Sequence, residues 1–343
     1  MLLITSTRFD EHVTPPGHPE RSERAHVFDA VAAQWLKKGG RTAAPRSATR
    51  DELARVHDPG YIDLMAATSG HPTRLDEDTF TSPESWEIAL LAAGAAAQAA
   101  EYALDHREAA FALVRPPGHH AERDRAMGFC LFNNVAVAAA VALARGVERV
   151  AIVDIDVHHG NGTQAMFYDE PRVLYASTHQ YPFYPGTGAA DEVGDGPGSG
   201  FTVNAPLEAG ATGADYDRVY RRAIVPILDR FSPQLLLVSA GFDAHEHDPL
   251  ASMRMTAAGY ANIVRQIVEV AARHGALALV TEGGYELPAL AACLEASFAT
   301  IDEVPGSKVP GPPASDALGT GTVRGERALA AVRAAQAPFW RGI

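Results

Sequence analysis

Val150-Ala-Ile-Val-Asp154-Ile-Asp156-Val-His158-His159-Gly160 is a short aliphatic run that breaks off into acids and imidazoles. Runs of the same kind recur at residues 111–115, 173–176, 235–239 and 276–281, and longer amphipathic stretches fill the gaps at 133–145, 214–230, 256–273 and 287–299. Short β-branched or aliphatic runs alternating with helical patterns are the signature of βα units and a parallel sheet. The first hundred residues look mostly helical, with one helix opening at Pro19-Glu20 and another after Ser82-Pro83, where proline suits a first turn. Glycine and proline are dense from Val304 to Thr322, which reads as a surface connection to a last helix over residues 326–337.

Each run is followed by chemistry. Arg115 leads into Pro-Pro-Gly-His119-His120, Val153 into the Asp154 to His159 string, Ser239 into Ala-Gly-Phe-Asp243, and Thr281 into Glu282-Gly-Gly-Tyr285. In a parallel α/β sheet the carboxyl ends of the strands share one edge, where ligands bind, so clusters far apart in sequence converge on one crevice. A β/α barrel would gather them in the same way, so this pattern locates the site better than it decides the fold.

Alternate residues of a strand share a face, which aims Asp154, Asp156 and His158 the same way as the strand ends. Two carboxylates and an imidazole suit a divalent cation such as Zn²⁺, and three protein ligands leave a position for water; acids at a strand end can equally cap the next helix. His119 and His120 read as a ligand or base, or as hydrogen-bonded turn histidines. Asp243, beside Gly241, is a third ligand or an Asx turn. Tyr285 is a donor to a developing oxyanion or a packing ring. The His245-Glu246-His247-Asp248 run reads as a solvated rim loop, because adjacent side chains point to different sides.

Composition narrows the field. At 343 residues, 47% hydrophobic and 21% charged, the chain has globular composition and ample core. A formal net charge of −13 without a local basic patch excludes nucleic acid and anionic membrane as partners. Only two cysteines occur, Cys130 and Cys293, too far apart in sequence for a Cys-x-x-Cys site, so neither a disulfide framework nor a cysteine zinc site is expected. The N-terminus lacks the basic and apolar regions of a signal peptide, and residues 88–100 fall short of the ~20 apolar residues a span requires. A soluble, cytoplasmic protein is expected.

Taken together, these strings resemble the histone deacetylase superfamily, which includes histone deacetylases, acetylpolyamine amidohydrolases and acetoin-utilisation proteins. The resemblance covers roughly residues 12–300 and rests on His18-Pro-Glu-Arg21, Arg115-Pro-Pro-Gly-His-His-Ala-Glu122, Gly128-Phe-Cys-Leu-Phe-Asn133, the Val153 to Gln164 string, Tyr184-Pro-Gly-Thr-Gly188, Ser239-Ala-Gly-Phe-Asp243 and Glu282-Gly-Gly-Tyr285, in the family's order. The Pro-Pro-Gly-His-His-Ala-Glu string and Asn161 look most like the class II branch. The resemblance implies a three-layer α/β/α arginase-deacetylase fold with a central, mostly parallel sheet; no composition shift inside residues 1–300 marks a boundary, so one catalytic domain over residues 1–303 is expected, with 304–343 as a connection and helix packed on or extending it. It implies Zn²⁺ on Asp156, His158 and Asp243, a set oxygen-rich enough for Fe²⁺ or Co²⁺ to serve, and a structural K⁺ near Asp154, the Ser177 hydroxyl and the Thr178 carbonyl. His120 matches the general base and acid backed by Asn161, His119 the electrostatic partner held by Asp154, and Tyr285 the oxyanion donor. Phe129 and Tyr184 match the aromatic walls of the acyl-lysine tunnel beside Gly128; Tyr184 departs from the phenylalanine common there. Leu250 after Pro249 looks more like the protein-lysine branch than the polyamine one. The expected substrate is an acyl-lysine peptide or a small N-acyl amine; a catalytically silent acyl-lysine-binding module is the reading from another class, and a homo-oligomer is left open.

Overall fold

The computed structural model describes residues 1–302, 318 and 320–343. Its strands are β1 (Leu2–Ile4), β2 (Arg41–Ala43), a small hairpin of β3 (Thr73–Arg74) and β4 (Phe80–Thr81), β5 (Ala110–Ala112), β6 (Val150–Asp154), β7 (Val173–Gln180), β8 (Thr202–Leu207), β9 (Leu235–Ala240) and β10 (Ala276–Thr281). All but the hairpin form one eight-stranded sheet in the order β2-β1-β5-β10-β9-β6-β7-β8, and every pairing in it is parallel.

The period-2 alternation of each strand divides the core in two. Ala151, Val153, Leu236, Val238 and Leu279 face helices that include Ala257–His274 and Leu287–Asp302. Val150, Ile152, Leu235, Leu237 and Ala278 face helices Ser85–His106 and Asn134–Ala144. Three layers follow directly, because strands apolar on both faces can be buried only between helices.

The strands expected at 150–154 and 276–281 fall where their apolar runs do. Those at 173–176 and 235–239 extend to Gln180 and Ala240. The run at 111–115 keeps ladder pairing only over Ala110–Ala112, and beyond Val114 the Arg115 side chain is bound to Glu20. The mostly helical reading of the first hundred residues missed β1, β2 and the hairpin, which are two or three residues long and carry no readable period. The helix expected from Pro19 starts at Glu23, since Glu20 is committed elsewhere. The helix expected over 214–230 is interrupted by a π turn at Tyr220–Ile224. Pro226 has no N–H for the Arg222 carbonyl, which Arg333 Nη2 approaches instead at 3.4 Å.

The dense glycine and proline of the expected connection lie almost wholly outside the described residues. The last helix, Val323–Gln336, covers the sheet edge at β8, where Gln336 Nε2 donates to the Thr202 carbonyl at 2.7 Å. Asp215 anchors its start, accepting from the backbone N–H of Thr322 at 2.6 Å and of Gly325 at 3.2 Å.

A fully buried ion cluster ties the N-terminal segment to the carboxyl edge of the sheet. Glu20 accepts from Arg115 Nε at 2.6 Å and Nη2 at 2.7 Å, and from Arg24 Nη1 at 3.1 Å. Arg24 continues to the Gly284 carbonyl at 2.8 Å and to that of Glu282. Burial works against the Glu20 carboxylate, but Arg115 overrides it and holds the group down at about 2. A depressed carboxylate stabilises the fold above its unfolded pKa and loses that contribution as pH falls through the folded value. Stability should therefore drop between about pH 4.5 and 2. Glu20→Ala, which strands two buried guanidinium groups, should cost roughly 3–5 kcal/mol in a urea melt at neutral pH. A loss under 1 kcal/mol would mean that water reaches the cluster.

Candidate active site

Strand register assembles the site. Asp154 stands opposite Ser177 on one side and Ser239 on the other, at the carboxyl ends of β6 and β9 and midway along β7. Just beyond, Asp156, His158 and Asp243 each turn one ligand atom into a common point, with those atoms within 4.8 Å of one another and all three residues buried. His158 Nδ1 lies 3.2 Å from both Asp156 Oδ1 and Asp243 Oδ2. Backbone amides fix the carboxylates: Gly283 N–H donates to Asp156 Oδ2 at 2.8 Å and Val157 N–H to Asp243 Oδ1 at 2.9 Å.

The electrostatics call for a cation. Burial alone would push the His158 imidazole down, yet Asp156 and Asp243 carry it up to about 10. Burial and the neighbouring Asp156 raise Asp243 to about 7, the signature of two carboxylates crowded into one dry site. A divalent ion taking two carboxylate oxygens and one imidazole would relieve both, so the donor set fits one.

The two histidines of the Pro-Pro-Gly turn lie side by side, ring centroids 4.0 Å apart, and differ in their partners. His119 Nδ1 meets Asp154 Oδ2 at 3.0 Å; burial opposes its charge, but Asp154 and Asp156 raise it to about 10. His120 Nδ1 meets Asn161 Oδ1 at 2.8 Å, and burial together with the charges of His119 and His158 drives it well below its usual value. Asn161 is itself steered by Glu122, which accepts from its Nδ2 at 2.8 Å.

Above these groups lies a cavity of about 190 Å³ lined by Asp78, His120, Gly128, Phe129, His158, Phe183, Tyr184, Leu250 and Tyr285. Phe183 stacks on His158 at 5.4 Å. Phe129 adopts φ 70°, a left-handed conformation rare for an aromatic residue, with its N–H held by Thr79 Oγ1 at 3.1 Å. Gly128 is needed beside it, because a Cβ there would lie 2.5 Å from the His120 ring. The Tyr285 ring meets Phe129 edge-on at 5.8 Å, and Arg24 lies 5.1 Å from its centroid.

Of the residues singled out from sequence, Asp154, Asp156, His158, Asp243, His119, His120, Asn161 and Ser177 are buried around one point, and Gly128, Phe129, Tyr184, Leu250 and Tyr285 line the cavity over it. Thr178 is also buried, but its hydroxyl faces Tyr220 at 3.3 Å, leaving only its carbonyl for an ion. The solvated rim loop is correct for the exposed Glu246 and His247 and wrong for Asp248. Asp248 is 6% exposed and accepts from the N–H of Tyr285 at 2.7 Å and of Leu250 at 3.0 Å, so it clamps two tunnel loops together. Glu282, read from sequence only as part of its strand-end string with no role of its own, also belongs to the site. It accepts from Gly118 N–H at 2.6 Å and His119 N–H at 3.1 Å, beneath the histidine turn, and burial lifts it to about 7. A lone acid after an apolar strand is the only signal that could have flagged it; Asp78 gave none, because its hairpin has no readable pattern.

Buried acids at the carboxyl edge of a parallel sheet, closed over by an aromatic tunnel, define the arginase-deacetylase class of α/β proteins. Within it the chain belongs to the histone deacetylase family: the histone deacetylase domain matches residues 18–301. The chain is 41% identical to a probable deacetylase of Archaeoglobus fulgidus over 295 residues, 83% of this chain and 82% of that one. It is 37% identical to the human polyamine deacetylase HDAC10 over 99% of this chain and 52% of that protein. The crystal structure of the HDA15 HD domain superimposes with a TM-score of 0.90 at 37% identity, over 99% of this chain and 95% of that one.

Gly283 offers a test of the candidate ion site that leaves every donor in place. A Cβ there would lie 2.1 Å from Asp243 Oδ2 and 2.7 Å from Asp156 Oδ2. Gly283→Ala should therefore weaken divalent-metal binding roughly 10–100-fold in a chelator-competition titration, as disturbed outer partners of a metal site do. Affinity within twofold of the parent would show that the two carboxylates are not held in a single arrangement.

Proposed function

We propose that the protein is a zinc-dependent amidohydrolase that removes an acetyl or other acyl group from the Nε amine of lysine in a protein or peptide. The observation that carries this reading is the convergence of the Asp156–His158–Asp243 set, the unlike pair His119 and His120, and Tyr285 on one narrow tunnel. Asp156, His158 and Asp243 would hold the ion, which when bound polarises the scissile carbonyl and makes water a competent nucleophile near pH 7; Fe²⁺ or Co²⁺ would serve the same oxygen-rich set.

The chain's own groups would do the rest. His120, uncharged and with Nδ1 engaged by Asn161, has Nε2 free to take the proton of the attacking water. As the acyl carbon–nitrogen bond breaks, the same Nε2 returns a proton to the departing amine, and the acyl group leaves as a carboxylate. His119, cationic against Asp154, adds fixed positive charge beside the reacting carbon. Tyr285 would donate its O–H to the developing oxyanion. K⁺ would lie against Asp154, whose carboxylate is fully buried, with oxygen from the Ser177 hydroxyl and the Thr178 carbonyl.

The likeness to a polyamine deacetylase supports a second reading, hydrolysis of an acetylpolyamine. Leu250 offers a second amine no partner, whereas the Asp78 carboxylate lining the same cavity can pair with one, so the comparison of turnover below separates the two substrates. No helix among the described residues is long and apolar enough to cross a membrane. The ligands and Tyr285 are all present, which speaks against a silent binding module.

Turnover of acetyl-lysine peptides against acetylpolyamines by the metal-loaded protein tests the reading, and Tyr285→Phe tests its chemistry. The variant keeps the ring and removes one hydroxyl. It should retain its metal and bind a hydroxamate inhibitor, while kcat falls about 10²–10³-fold. A kcat within threefold of the parent would assign that hydroxyl no part in the transition state.

A further inference from the structure

Two polar groups of the tunnel lining, the Tyr184 hydroxyl and the Asp78 carboxylate, are left unused by this chemistry. The Tyr184 ring stands edge-on to His120 at 5.2 Å and to His158 at 6.1 Å, yet the residue is 40% exposed, so it reaches from the reacting groups to the opening. No described residue donates to or accepts from its hydroxyl. The lining residues Gly128, Phe129, Phe183 and Leu250 have apolar side chains or none. His120, His158 and Tyr285 are occupied at the floor, which leaves the Tyr184 hydroxyl and the Asp78 carboxylate to meet whatever remains at the mouth. Asp78 can only accept there, and its carboxylate already takes a hydrogen bond from the Thr79 hydroxyl at 3.2 Å. A phenol at neutral pH offers both a donor and an acceptor, and among the described lining residues it is the one donor at the mouth. An acyl-lysine whose amide lies at the floor presents, at the mouth, the α-carbon and its two peptide units, which carry acceptor carbonyls. A polyamine presents protonated amines at that point, which can donate to Asp78 or to the phenol oxygen but give the phenol O–H nothing to donate to.

We propose that Tyr184 is a specificity-determining residue whose hydroxyl donates to a backbone carbonyl flanking the acyl-lysine, favouring acyl-lysine within a peptide chain over acylated amines that lack peptide units. This rests on the deacylase reading above and deepens it. A neutral hydrogen bond gained on binding is typically worth a factor of about 3–10.

The test compares the metal-loaded parent with Tyr184→Phe on two substrates sharing one reacting amide: a short uncharged peptide with an internal acetyl-lysine, and N-butylacetamide, which has no peptide unit. The ratio of kcat/KM for peptide over N-butylacetamide should fall about 3–10-fold in the variant, mainly through a higher KM for the peptide. Two hydroxamates of equal linker, one capped by a peptide unit and one by methyl, should lose the same factor in their ratio of Kd; this pair decides if the small amide turns over too slowly to measure. An unchanged ratio, whether neither or both substrates suffer, overturns the proposal. A parent that hydrolyses neither substrate overturns the deacylase reading and the proposal with it, and that failure shows before any variant is made.

Discussion

Four carboxylates, Asp154, Asp156, Asp243 and Glu282, are buried to 1% exposure or less at one end of the sheet, and the surrounding loops make that burial tolerable. Unpaired, each would cost several kcal/mol or take up a proton. Their relief comes from backbone amides at Gly118, His119, Val157 and Gly283, from the imidazoles of His119 and His158, and from room for a cation among Asp156, His158 and Asp243. A fold that concentrates carboxylates this way favours positive charge among them.

The same constraint divides the labour of the histidines. His119, bound to Asp154, is raised against its burial by Asp154 and Asp156, while burial, and then the charges of His119 and His158, hold neighbouring His120 low. Environments that push two like groups in opposite directions are a common way to obtain two roles from one residue type, and the proposed mechanism uses the pair in that way. Farther out, Glu20, Arg115 and Arg24 hold the Glu282-Gly-Gly-Tyr285 loop from behind, and Asp248 holds it from the side, so Tyr285 is set by two independent anchors.

Much of this was legible before any coordinates. The Val150 to Gly160 string identifies both a buried strand and an acidic end, because a strand's period places Asp154 and Asp156 together, and apolar runs elsewhere mark β7, β9 and β10. Illegible were features that exist only in three dimensions. β1 and β2 are strands solely through pairing with their neighbours. Asp248 reads like its exposed neighbours Glu246 and His247 until the Tyr285 loop is packed over it. Asp78 and Thr79 acquire a role only because the β3–β4 hairpin folds against Phe129.

The most direct measurement is metal stoichiometry on the parent and Asp243→Asn, a nearly isosteric change that removes one ligand charge. Ligand charge and count set metal affinity. The parent should bind one divalent ion per chain and hydrolyse acetyl-lysine peptide in proportion to its loading. Asp243→Asn should stay folded and lose most of the ion and the activity together. Full occupancy with parental turnover in Asp243→Asn would contradict the assignment of this buried acidic cluster as the catalytic metal centre.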